Sequence, residues 1–116
     1  METKQKGWTK TYNAIFSHVI FKNAEHFKLW LWLIGNASFA THVETLGKHK
    51  VTIFRGEVYV TCKELSEVMN VYSRSIRRML IELKDNYEVI GVEKFYQYYK
   101  ITVKNYDRYQ SKKDKN

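Results

Sequence analysis

The residues best equipped for chemistry in this chain are cations and hydroxyls gathered on one short run. Between Thr61 and Lys84 the sequence reads TCKELSEVMNVYSRSIRRMLIELK, and its second half carries Arg74, Arg77 and Arg78 beside Ser73 and Ser75, with Lys84 at the far end. On an ideal helix, at about 100° per residue, Ile76, Leu80 and Leu83 fall within an arc of roughly 60°. Arg74, Arg77, Arg78 and Ile81 fall on the opposite half. A guanidinium presented there can fork onto guanine O6 and N7 or onto phosphate oxygens. The Ser73 and Ser75 hydroxyls, with the free N–H groups of a helix start, suit a phosphate. One reading of these arginines is a merely solvated helix face. The short helix and tight turn ahead of them favour the other, a second helix that enters a DNA groove. Ile81 fits that face poorly: it packs against a neighbouring hairpin or a second subunit, or it meets a thymine methyl.

A second set of candidates follows in Lys94, Tyr96, Tyr98, Lys100 and Lys104. Lysines interleaved with aromatics suit tracking of a phosphate backbone and stacking on unpaired bases. The alternative is that these tyrosines fill a strand and cover the core. Lys112, Lys113 and Lys115 in the tail add non-specific phosphate attraction. Other chemistry finds little support. His18, His26, His42, His49 and Cys62 lack metal-ligand spacing. There is no phosphate-binding glycine loop, nucleophile elbow or zinc-hydrolase motif. The sequence therefore predicts a binding module, not an enzyme, with no metal and no cofactor.

The bulk properties agree. The 116 residues suffice for one domain with a modest core, and a net charge of +8 selects for an anionic partner. Nucleic acid leads, ahead of acidic protein or an anionic membrane surface. The polar opening METKQKGW is unlike a signal peptide, and the longest apolar run, Leu29 to Ile34, is too short to span a bilayer. The single cysteine excludes an intrachain disulfide. A soluble intracellular protein is expected.

The elements that must position these residues read as follows. Residues 1–6 are a polar, flexible N-terminus. Trp8, Tyr12, Ile15, Phe16 and Val19 are spaced for an amphipathic helix over Trp8 to Phe21, then a loop whose Asn23 caps a helix from Ala24 to Ala37. That helix is apolar nearly all round and should be central. Trp8, Phe16 and Ile20 either pack on it or supply a dimer surface. Ser38 to Lys50 reads as irregular, with a turn at Gly47. Val51, Ile53 and Val58 to Val60 read as a short strand or as a hairpin turning at Arg55-Gly56. Thr61 and Glu64 form a capping box for a helix whose buried stripe is Leu65, Val68 and Met69, ended by Asn70. Ser73 caps the next helix and Asn86 closes it. Val89 to Val92 and Tyr98 to Lys104 then form a hairpin. The expected fold is α+β, mainly α: a winged helix-turn-helix over 7–110 with an extra N-terminal helix and a C-terminal hairpin wing, followed by a basic disordered tail over 111–116.

Three segments carry a family resemblance: GWTKTYNAIFSHVIFKNAEHFKLWLWLIGNAS, KVTIFRGEVYVTCKELSEVMNVYSRSIRRMLIELK and YYKITVKNYDRYQ. Together they cover about residues 7–110 and resemble the N-terminal winged-helix domain of DnaD-like replisome organisers, replication initiation proteins of phages and plasmids of Gram-positive bacteria. The resemblance implies DNA binding at or near an origin, self-association into a dimer or higher oligomer through the N-terminal helical region, helicase loading through partner proteins, and a cytoplasmic, nucleoid-associated location. It makes Ser73 to Lys84 the recognition helix, with Arg77 and Arg78 at the family's basic positions. Ser66 stands where alanine is common, Asn70 and Asn86 where glycines are usual, and Ile81 where a polar residue is usual. Replisome organisers usually continue into a second domain, whereas this chain ends in a lysine-rich tail. The same fold also serves stand-alone transcriptional regulators and phage-encoded inhibitors that bind proteins.

Overall fold

Asn23 makes the first local decision. Its side chain accepts a hydrogen bond from the His26 N–H at 3.2 Å and starts helix α1, Ala24–Asn36, straight after a 3-10 turn over Val19–Lys22. The computed structural model describes residues 19–110, so most of the helix expected over Trp8 to Phe21, and the tail from residue 111, lie outside the described residues. Ile20, weighed as part of a dimer surface, is fully buried in the core. Helix α1 buries Leu29, Trp30, Leu33 and Ile34, but Leu31 is exposed and Trp32 only half-buried. It is a scaffold with one wet face, less enclosed than its composition implied.

The segment expected to be irregular holds a strand. β1, His42–Leu46, pairs antiparallel with β2, His49–Ile53, around a turn in which Gly47 has φ +62°. β1 is solvated almost throughout, so it has no alternation of apolar and polar residues to betray it; its ladder to β2, whose Ile53 is buried, holds it. The hairpin expected at Arg55-Gly56 is instead a corner between two sheets. Gly56 takes φ +88°, and a Cβ there would lie 3.2 Å from that of Tyr106, so both conformation and close approach call for glycine.

Strand β3, Glu57–Val60, leads into helix α2, Cys62–Met69. The capping box is present: Thr61 Oγ1 accepts from the Glu64 N–H, and Glu64 Oε1 accepts from the Thr61 N–H, both at 3.0 Å. Leu65 and Met69 are buried, whereas Val68 is exposed. Asn70 ends the helix in the left-handed conformation, φ 59° and ψ 47°. Helix α3, Ser73–Asp85, follows. Tyr72, not Ser73, is its N-terminal flanking residue, and no side chain caps it. Asn86 stays right-handed at φ −89°; the reversal is delayed to Glu88, φ 56°, after which the Val89 N–H reaches back to the Leu83 carbonyl at 3.0 Å.

Strands β4, Ile90–Phe95, and β5, Tyr98–Val103, form the expected hairpin, with Tyr96 at φ 57° in its turn. The sheet order is β3-β5-β4, all antiparallel. Its register puts Val58, Val60, Ile101, Val103 and Ile90 on the face toward the helices, where they meet Leu65, Ile76, Met79 and Leu80 in the core. A last turn of helix, α4, Tyr106–Tyr109, buries both its tyrosines, Tyr109 edge-on to Trp30 at 5.2 Å.

Arg55 joins the two ends of this unit. Its guanidinium donates to Asp107 Oδ1 at 2.7 Å, to the Gln110 carbonyl at 2.6 Å and to the Phe39 carbonyl, and lies over the rings of Phe39 and Tyr106. The described residues form an α+β fold of four α-helices and two small antiparallel sheets, with strand weighing more heavily than the sequence suggested. No helix among them is long and apolar enough to cross a membrane.

Candidate nucleic-acid interface

Helix α3 divides as its periodicity requires. Ile76, Met79, Leu80 and Leu83 are buried, which turns Arg74, Arg77 and Arg78 to solvent. The three cations are not equally available. Arg78 Nε lies 4.0 Å from Glu82 Oε2, a loose pair one turn along, while the other Glu82 oxygen meets His26 Nε2 at 2.6 Å and ties α3 to α1. Lys84 Nζ sits 3.0 Å from Asp85 Oδ1, so its charge is largely offset at the far end of the helix. Ser73 and Ser75 are half-buried at the uncapped start. Ile81, 55% exposed, lies in the middle of the arginine face with no apolar cover among the described residues.

The hairpin is split by its register. Lys94 pairs across the ladder with Tyr99, so both stand on the face turned to the helices, and the Lys94 ammonium is 5.2 Å from the Tyr99 ring centroid. Burial raises the Tyr99 phenol above its ordinary value, with Cys62 adding to the rise and the Arg77 charge opposing it. Tyr99 therefore lies under the Lys94 ammonium and within the field of the Arg77 charge. Lys100 is one step out of phase and belongs to the other face. There its ammonium lies 3.1 Å from Glu93 Oε1 and 3.7 Å from Glu57 Oε2, and the bond to Glu93 is the main cause of its raised pKa. Tyr98 shares that outer face, and Lys104 is exposed beyond the end of β5. Of the residues the sequence singled out, Arg74, Arg77 and Arg78 share the open face of α3 and Lys94 stands on the face of the sheet turned to the helices, while Lys84 and Lys100 are occupied elsewhere. Tyr96 stands apart at the hairpin tip, 62% exposed.

Tyr72 escaped the sequence reading. It is 80% exposed in the turn between α2 and α3, directly before the arginine helix. The available signal was position: an aromatic in a three-residue turn has no core to fill. Among the described residues no group of three or more His, Cys, Asp or Glu side chains gathers as a metal site would require. The chain matches no protein-family model, and no curated protein or solved structure is significantly similar to it.

Proposed function

We propose that this chain is a winged helix-turn-helix domain that binds duplex DNA, with α3 in the major groove and the β4–β5 hairpin as the wing. The element order supports it: after helix α1 and the β1–β2 hairpin come strand β3, two helices joined by a tight turn and then strands β4 and β5, with β3 pairing to β5 and the short α4 closing the chain's described part. In this arrangement β3 and the wing form one small sheet behind the helix pair, leaving the second helix to face outward. The observation that carries the reading is the open face of α3, where Arg74, Arg77 and Arg78 are all exposed opposite the buried Ile76, Leu80 and Leu83, in a chain of net charge +8. Arg77 and Arg78 are assigned to base edges or phosphates of the groove, Arg74 and the α3 N-terminus to a phosphate, and Lys94 to the backbone beside the wing. Tyr72 joins them at the entrance to the groove.

A role in replication initiation of the phage or plasmid type, with helicase-loading partners and self-association, rests on the resemblance of the RGE, FKNAEHFKLWLWL and NYDRYQ segments to replisome organisers. The test of DNA binding is titration of a labelled duplex at several salt concentrations. Replacing Arg77 and Arg78 together by alanine should lower affinity about 10- to 100-fold at ~0.15 M salt and reduce the salt slope by about two. An unchanged affinity and slope in a folded double variant removes α3 from the interface.

A further inference from the structure

The tip of the wing carries an arrangement that groove binding by α3 does not use. Tyr96 takes φ 57°, a left-handed backbone angle at which glycine or asparagine sits with less strain than an aromatic. Its ring nevertheless stays in the open, 62% exposed. One face is covered: the His49 imidazole, from the β1–β2 hairpin, stacks on it with centroids 4.1 Å apart and planes 13° from parallel. Phe95 closes the arrangement edge-on, 5.7 Å from His49 and 4.9 Å from Tyr96. The three rings hold Tyr96 in one orientation before any ligand arrives, and its remaining face is turned to solvent. A strained backbone that keeps an exposed, pre-oriented ring points to something that the ring contacts.

The cations around this tip narrow the ligand. Lys48 and Lys50 flank His49 in the chain, and neither is paired with a carboxylate among the described residues. The nearest acids are engaged: Glu93 with Lys100 and Glu44 with His42. A flat aromatic face turned to solvent, backed by a segment that carries the unpaired Lys48 and Lys50, matches a nucleobase attached to phosphates. A base inside a duplex has both faces covered by its neighbours, so the ligand is an unpaired one.

We propose that the His49–Tyr96 stack is a platform for a base of single-stranded DNA, so that the domain prefers duplex that continues into a single strand. The β1–β2 hairpin supplies the lower half of the platform through His49, with Lys48 and Lys50 beside it in the chain. The inference rests on the DNA-binding reading of α3 but involves different residues.

Three labelled DNAs separate the terms: a blunt duplex, the same duplex with a short single-stranded tail, and that tail with its bases removed to leave abasic sites. Stacking of one base should make the natural tail bind about 5- to 10-fold tighter than the abasic one, which keeps the same phosphates. Tyr96→Ala, whose φ requirement is the same, should erase that gain and leave blunt-duplex affinity unchanged, and Tyr96→Trp should keep it. Equal binding of natural and abasic tails by the native chain overturns the proposal, as does a full gain in folded Tyr96→Ala. The Arg77→Ala/Arg78→Ala variant, measured alongside, tells the two readings apart. If it weakens on blunt duplex while the native chain shows no base-dependent gain, only the platform is refuted. If blunt-duplex binding ignores it, α3 is refuted, and a base-dependent gain lost in Tyr96→Ala still upholds the platform.

Discussion

Arg55 is the residue whose replacement should be felt furthest from its own position. It bonds to Asp107 and Gln110, 52 and 55 residues away, and so fastens the corner before β3 to the final helical turn. The contributions differ in strength. Asp107 is 65% exposed, so its ion pair with Arg55 is screened and contributes about 0.5 kcal/mol. The bond to the partly buried Gln110 carbonyl is charge-assisted and contributes about 1–1.5 kcal/mol. Stacking against Phe39 and Tyr106, at 4.5 and 4.9 Å, adds roughly 1 kcal/mol in all. Arg55→Ala should therefore destabilise by about 3 kcal/mol and lower Tm by roughly 10 °C in a domain of this size. Arg55→Lys should recover little of this, because an ammonium's donors radiate from a single nitrogen that cannot reach three separate acceptors, and it has no flat face to lay on two rings. Thermal unfolding followed by circular dichroism measures the loss, and amide exchange locates it, with α4 losing protection before α3. A Tm within about 3 °C of the native value for Arg55→Ala, or full recovery by lysine, would refute the view of Arg55 as the clasp.

Two further perturbations test other parts of the structure. Glu88 bears a left-handed backbone at φ 56° with a side chain that gains nothing from it, so Glu88→Gly should raise stability by about 0.5–1 kcal/mol; a lower Tm would show that Glu88 is held by something other than its turn. His42 is raised above its ordinary 6.5, first by its bond to the Ala40 carbonyl and then by Glu44. A raised folded-state pKa means that the protonated ring favours the fold. Its contribution is complete below 6.5 and is lost as pH rises through the folded value. An NMR titration of His42 should give a midpoint above 6.5, moving down in Glu44→Gln, with β1 amides exchanging faster on the alkaline side; a native midpoint at or below 6.5 would contradict the geometry.

What could be read from the sequence, and what could not, divides by the range of the interaction. The helix pair was legible because its determinants are local: Thr61 and Glu64 are three residues apart, Asn70 can adopt a left-handed angle by itself, and Ile76, Leu80 and Leu83 recur with the helical period. The assignments that shifted were decided by partners distant in the chain. β1 is a strand only because β2 pairs with it, and its solvated side chains carry no pattern. Arg55-Gly56 looked like a hairpin turn because both flanks are β-branched, yet the strand after it pairs with β5, more than forty residues on. Asn86 and Glu88 exchanged roles because the return of the chain toward Leu83, not the propensity of asparagine, set where the reversal falls.

The same division governs the candidate interface. Lysines at 94 and 100 look equivalent in sequence, but they stand on opposite faces of the sheet, and a one-residue change of register would exchange them. With the observed register Lys94 faces Tyr99 and the arginine helix, while Lys100 is spent between Glu57 and Glu93. On the proposed reading the hairpin adds to the groove-facing surface through Lys94 alone, and Tyr96 stands apart at its tip. Ile81 sits at the centre of the arginine face in the same geometry, 55% exposed and flanked by Arg77 and Arg78. On the proposed reading, an apolar side chain so placed can offer a base edge only contact with a thymine methyl, so hydrogen-bonded discrimination would fall to the arginines around it.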